Sequence, residues 1–107
     1  YYDAYYIKAQ KIRTLLKKDF EEAFEKVDVI MGPVSPVLPF KIGERVEDPL
    51  SMYLVDAYAV PVSLVGLPGL SVPAGKAGHL PVGLLMIAKP FEESLLFAIG
   101  KSFEKLV

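Results

Sequence analysis

Cysteine is absent from the 107 residues, and histidine occurs only once, at position 79. Without cysteine, the chain offers no disulfide, no thiol nucleophile and no cysteine-ligated metal. A single histidine, with carboxylates scattered over helix surfaces, does not form a ligand set for a metal ion. The sequence therefore predicts no metal site, and it favours a solvated turn for His79.

Net charge is almost absent as well, −1 at pH 7. This balance gives no general attraction to nucleic acids or anionic membranes. Lys8, Lys11 and Lys18 lie near tyrosines, but the acidic residues one turn later favour a solvated helix face over an RNA contact.

The N-terminus has no signal-peptide pattern. The uncharged run Ala57 to Gly75 contains three prolines and three glycines, so it predicts turns and a strand, not a membrane helix. We expect a cytoplasmic protein without membrane contact.

Glycine and proline are missing from residues 1–26, where apolar residues recur at steps of three and four. This spacing predicts an amphipathic helix. Cap signals, β-branched runs and turn residues place the elements that follow. They are a strand at 27–34, an extended loop to 48, a helix at 49–56 after an Asp48 cap, a helix near 58–65 ended by Gly66, strands at 70–75 and 82–89, and a helix from Pro90. The pattern predicts an α/β fold with strands buried on both faces, and the last two strands form a hairpin or lie side by side.

The stretch SLVGLPGLSVPAG, residues 63–75, invites comparison with nucleophile and phosphate loops. A nucleophile elbow needs G-x-S-x-G, but the position of the last glycine is taken by Pro73, and no helix follows Ser71. A phosphate loop needs G-x-x-x-x-G-K-[ST], but here the gap is one residue too long and Ala77 replaces the hydroxyl residue. The stretch is therefore predicted to be structural.

Asp56 is the only charged residue between Asp48 and Lys76. One interpretation makes it the N-cap of the second short helix. The other places a polar group in an apolar wall, where it meets the amine or amide of a ligand. Spacing alone does not decide between the two.

Four motifs occur in order: YYDAYYIKAQKIRTLL, DPLSMYLVD, GLPGLSVPAG and LPVGLLMIAKPFEESLL. Together they resemble the amidase signature family, and within it the glutaminase subunits of tRNA-dependent amidotransferases. The resemblance implies the C-terminal portion of the amidase signature fold, a mixed β-sheet flanked by helices. Since the chain does not begin with Met and opens inside a helical pattern, we expect residues 1–107 to be one fragment of that domain.

The resemblance also implies a reaction: glutamine hydrolysis by a Ser–cis-Ser–Lys triad, which supplies ammonia for amidating Glu-tRNA(Gln) or Asp-tRNA(Asn). No counterpart of the triad's glycine- and serine-rich signature occurs here, so no catalytic residue is carried over. By motif position, Asp56 is implied to contact the amino group of the substrate. Val55 stands where the family usually has Asn, and the family often has Thr near Gly32 and Val34, so the resemblance implies a weaker polar wall of the pocket.

The implied partners are the remainder of the same glutaminase subunit, the B and C subunits of the amidotransferase, glutamine, and an aminoacyl-tRNA held mainly by the B subunit. No cofactor is implied for the glutaminase subunit, and ATP and Mg²⁺ are used by the partner subunit. Two alternatives stay open. The chain could belong to a stand-alone amidase acting on simple amides, or it could be a non-catalytic structural or interaction domain.

Overall fold

The structure, a computed structural model, describes residues 2–44 and 49–107. The predicted order of elements is confirmed, although most boundaries differ by a few residues. In chain order the elements are a π-helical turn Tyr2–Tyr6, α1 Ile7–Phe24, β1 Val29–Pro33, α2 Pro49–Val55, α3 Val60–Val65, β2 Gly69–Ala77, β3 Leu80–Ala88 and α4 Glu93–Glu104. The Asp48 cap lies outside the described residues.

The three strands form one sheet in the order β1-β3-β2, and both pairings are antiparallel. Of the two arrangements that the sequence left open for the last strands, the structure has the hairpin. Its two-residue turn is Gly78-His79, with φ of +65° at Gly78 and no positive φ at His79. That is the pattern of a type II′ turn, which matches the right-handed twist of the strands. The predicted turn at His79 is thereby confirmed.

Each face of the sheet carries its own small core. On one face α4 packs Leu96 against Val72, Met86 and Ala88. On the other face Phe24 from α1 and Val62 from α3 pack against Ile87. Because successive residues of a strand point to opposite faces, β3 supplies Met86 to the first core and Ile87 to the second. The fold is α/β with helices on both faces, and the prediction of strands buried on both sides holds for the central strand β3.

The apolar stripe of the first helix is only half covered. Leu16, Phe20 and Phe24 are partly or fully buried, whereas Tyr5 and Ile12 are 68% and 51% exposed. The spacing correctly predicted the helix. It could not show that the buried part of the stripe is confined to its C-terminal half, where α3 and the sheet pack against α1.

Two helix ends show how local backbone chemistry decides boundaries. Gly66 ends α3 with φ of +75°, and its N–H donates to the Ser63 carbonyl oxygen at 3.2 Å, so the predicted glycine cap is confirmed. By contrast, α4 begins at Glu93 and not at Pro90, because Pro90 instead occupies a turn in which the Glu92 N–H donates to the Lys89 carbonyl at 3.1 Å. No helix within the described residues is long and apolar enough to cross a membrane.

Candidate functional site

A cavity of about 550 Å³ opens between the end of β1, the start of β3 and the turn that joins α2 to α3. The proline-rich segment 33–40 forms one wall, and Val55 at the end of α2 and Tyr58 in the α2–α3 turn form another. Residues 81–83 of β3 close the third side. The volume lies in the range of small-molecule sites, and most of the lining is aliphatic or aromatic.

Gly83 lets the proline-rich wall approach the sheet closely. A Cβ at this position would lie 3.0 Å from Val34 Cγ2 and 3.3 Å from Ser71 Oγ. The Val34 N–H donates to the Gly83 carbonyl oxygen at 3.3 Å, which fixes the wall to the edge of the cavity. A side chain at Gly83 would therefore displace the wall and change the shape of the cavity.

Asp56 lies between the two cavity-lining residues Val55 and Tyr58, in the turn that follows α2. Its N–H donates to the Tyr53 carbonyl at 3.2 Å, and its carbonyl accepts from the Val60 N–H at 3.1 Å. These backbone bonds hold the turn. The Asp56 side chain is exposed, and within the described residues its carboxylate has no hydrogen-bond or ion-pair partner.

The prediction that Asp56 caps the second short helix is wrong. The N-cap of α3 is Ala59, with φ of −85° and ψ of −37° and without a side-chain cap bond. The helix begins at Val60, two residues later than expected, because residues 56–59 form a turn of their own. With capping removed, no structural role within the described residues accounts for the carboxylate of Asp56.

The polar side chains of the cavity are few. Ser35 and Tyr58 carry its side-chain hydroxyl groups, and the Ser35 Oγ already accepts from the Val37 N–H at 3.3 Å. No lysine, histidine or carboxylate lines the cavity within the described part of the chain. Such a surface can hold an apolar stem, and the carboxylate next to it in the chain, Asp56, does not line it. It lacks a nucleophile paired with a base.

The stretch 63–75 forms the end of α3, a short turn and most of β2, so it contributes to the fold. Ser71 lies inside β2 and His79 lies in the hairpin turn, so neither occupies a strained nucleophile elbow. Among the side chains that the structure describes, residues 4–44 and 49–107, no three of the histidine, cysteine or carboxylate type cluster together.

The family model described as Amidase matches residues 1–97. This chain belongs to the amidase family. Among curated relatives, the A subunit of glutamyl-tRNA(Gln) amidotransferase from Myxococcus xanthus is 57% identical over 107 residues. The same-named subunit from Thermoanaerobacter pseudethanolicus is 57% identical over 105 residues. Each match covers 98% of this amidase-family chain but only 22% of the relative, so the chain spans about a fifth of their length.

Solved structures agree with this assignment. The A subunit of glutamyl-tRNA(Gln) amidotransferase from Thermotoga maritima superposes with a TM-score of 0.81 and 44% identity, over 87% of this chain and 20% of that one. A structure described as an amidase superposes with a TM-score of 0.82 over 95% of this chain and 25% of that one, at 24% identity, which shows the shared fold alone. The amidase-family fold is therefore supported by sequence and by structure.

Sequence reasoning singled out Asp56 but missed the cavity beside it. The sequence predicts the wall at 33–40 only as the end of a strand and an extended loop, and it places Tyr58 in a helix that in fact begins after it. The signal was present in Pro33, Pro36 and Pro39, which stiffen this segment. A rigid apolar loop after a strand is well suited to form a cavity wall.

Proposed function

We propose that this chain is part of the glutaminase subunit of a tRNA-dependent amidotransferase, as the C-terminal part of its amidase-signature domain. That subunit hydrolyses glutamine and supplies ammonia for amidating Glu-tRNA(Gln) or Asp-tRNA(Asn). The observation that carries the proposal is the 57% identity with an amidotransferase A subunit across 98% of this chain. The position of Asp56 agrees with it, because Asp56 directly follows the cavity-lining Val55 and its exposed carboxylate has no partner among the described residues.

In this proposal the segment binds substrate and does not perform the chemistry. The cavity offers no nucleophile–base pair, which agrees with a Ser–cis-Ser–Lys triad located elsewhere in the same protein. The methylene groups of glutamine would pack against apolar side chains such as Val55, and the ammonium group would meet the Asp56 carboxylate. A charge-assisted hydrogen bond of this kind separates glutamine from a plain amide, because a plain amide leaves the carboxylate without its cation.

The proposal also assigns the partners. The chain would pack against the remainder of its own subunit and act with the B and C subunits, and the aminoacyl-tRNA would be held mainly by the B subunit. The glutaminase subunit would need no cofactor of its own, since ATP and Mg²⁺ serve the partner subunit. The complex would work in the cytoplasm, where aminoacyl-tRNA is made and used.

The test is ammonia release by the full-length protein, with glutamine and a simple aliphatic amide as substrates. We expect glutamine to be preferred, and we expect the 107-residue chain alone to release no ammonia. Preference for the simple amide would favour a stand-alone amidase, with which the apolar wall at Val34 and Val55 also agrees. Ammonia release by the 107-residue chain alone would contradict the placement of the triad outside it.

A further inference from the structure

A groove runs along one side of α1, between this helix and the segment that ends α3. Three cavities of about 260, 290 and 740 Å³ follow one another there. The first two share Arg13 and Leu64, and the last two share Lys17 and Val65, so the three form one continuous depression. We call this surface, from Ala9 to Glu25 on α1 and from Ser63 to Leu67 opposite, the α1 groove.

The floor of the α1 groove is apolar and its length suits a helix. Leu16, Phe20 and Phe24 of α1 and Val65 of α3 contribute the floor. At a rise of 1.5 Å per residue, Ala9 to Glu25 spans about 24 Å, which is roughly the length of a sixteen-residue helix. An amphipathic helix lays its apolar face into a groove of this kind, while its charged residues meet the rim.

The charged residues that α1 contributes to the rim of the groove change sign once along the helix. Two cations come first along α1 and two carboxylates follow, all at steps of four residues. In chain order the row is Arg13, Lys17, Glu21 and Glu25. None of the four forms an ion pair with a described residue. Along α1 the row is therefore positive and then negative, while Lys89 adds one cation to the lining of the largest cavity, which Glu21 and Glu25 also line.

This order is the reverse of what suits an isolated helix. Acidic residues stabilise the first turn and basic residues the last, yet α1 has no acidic residue in its first turn and no basic residue in its last. The pair Lys17 and Glu21 also has the less favourable order, with the base before the acid. α4, in contrast, follows the rule with Glu93 first and Lys101 last. The charge order of α1 therefore does not stabilise α1 itself, and it suits the binding of a charged partner to this face of the helix.

An exposed aromatic residue follows a groove-lining residue in the chain. Pro90 lines the largest of the three cavities, and its neighbour Phe91 is 93% exposed with φ of +66°. A bulky residue rarely adopts this backbone conformation, and glycine usually takes its place. Aromatic side chains at the rim of a groove are typical anchors of protein interfaces.

We propose that the α1 groove receives an amphipathic helix of a partner chain that lies parallel to α1. The partner helix would be acidic in its first half, facing Arg13 and Lys17, and basic in its second half, facing Glu21 and Glu25. That is the charge order that ordinary helices favour, so only the parallel orientation satisfies both the partner and the groove. An RNA strand fits less well, since Glu21 and Glu25 repel phosphate. The inference rests on the proposed function only because that function supplies partner subunits.

The test uses the full-length protein and its co-purified partner subunits. We expect the double variant Arg13→Glu/Lys17→Glu to raise the Kd of the complex by at least about tenfold, and Glu21→Lys/Glu25→Lys to do the same. The thermal midpoint of the isolated full-length protein and its ammonia release from glutamine should not change. Lys101→Glu, on the exposed side of α4, is the matched control and should leave the Kd unchanged.

Other occupants give different results. If the groove is covered by the rest of the same chain, both double variants lower the thermal midpoint of the isolated full-length protein, and the proposal fails. If it binds tRNA, Arg13→Glu/Lys17→Glu weakens tRNA binding while Glu21→Lys/Glu25→Lys strengthens it, and the proposal fails as well. An unchanged Kd in both variants overturns it directly. Absence of ammonia release from glutamine in the unmutated protein would instead count against the proposed function.

Discussion

Phe91 offers a substitution that should stabilise the protein. It is the third residue of the turn from Lys89 to Glu92, and its φ of +66° is the only positive φ of a non-glycine residue in the part of the chain that the structure describes. Proline at the second position and a positive φ at the third are the features of a type II turn, in which the third position favours glycine. The ring is 93% exposed, so the fold gains little from its burial.

The size of the effect follows from two opposing terms. The left-handed conformation costs a side-chain-bearing residue about 1–2 kcal/mol, which Phe91→Gly removes. Glycine loses more backbone entropy on folding, which costs about 0.5–1 kcal/mol. The two ranges combine to a gain of about 0 to 1.5 kcal/mol in the free energy of unfolding, with a central value of about 0.7 kcal/mol.

The assay is reversible urea unfolding of the full-length protein, in which a more stable variant has a higher midpoint at unchanged slope. Phe91→Ala is the control, because alanine removes the ring but keeps the backbone strain, so its midpoint should stay near that of the original protein. A lower midpoint for Phe91→Gly would refute the reasoning, since it would mean that the ring packs against the chain. Equal midpoints for the two variants would show that the turn is not strained.

Three other substitutions test the packing, and one measurement on the isolated chain tests the extent of the fold. Gly66→Ala should lower the free energy of unfolding by about 1 kcal/mol in urea, since φ is +75° there and no atom crowds the site. Gly100→Val should cost about 1–3 kcal/mol, because a Cβ would lie 2.8 Å from Leu70 Cδ2 and 3.3 Å from Val72 Cγ1; a neutral result would mean that α4 shifts freely on the sheet. Met86→Ala should cost about 2–5 kcal/mol, since Met86 is fully buried. The isolated 107-residue chain should self-associate in sedimentation, because its sheet edges and apolar faces lie open; a monodisperse monomer with a cooperative melt would contradict this.

Much of the fold could be predicted because its elements obey local rules. The glycine cap at Gly66, the start of α2 at Pro49 and the charge order of α4 are decided by a few neighbouring residues. Long-range packing was not accessible in this way. Nothing local shows that the stripe of α1 is covered only from Leu16 onward, or that the final strands pair as a hairpin on one side of β1.

The candidate site was predicted in part for the same reason. Asp56 stands out because it is an isolated charge in an apolar stretch, and a resemblance of motifs gave it a role. Its capping role was wrong because the turn before α3 ends at Ala59, which no spacing rule indicates. The cavity beside it depends on contact between Gly83 and Val34, which lie far apart in the sequence and meet only through the sheet.

The central claim is that Asp56 binds the α-amino group of glutamine. The most direct test is the effect of Asp56→Asn in the full-length protein on kcat/KM for glutamine and for the analogue that lacks only the α-amino group. A charge-assisted hydrogen bond is worth about 1.5–3 kcal/mol, so we expect kcat/KM for glutamine to fall roughly 10- to 150-fold. We expect the value for the analogue to stay the same. An equal fall for both substrates would contradict the account, because Asp56 would then act on the fold or on the amide and not on the amino group.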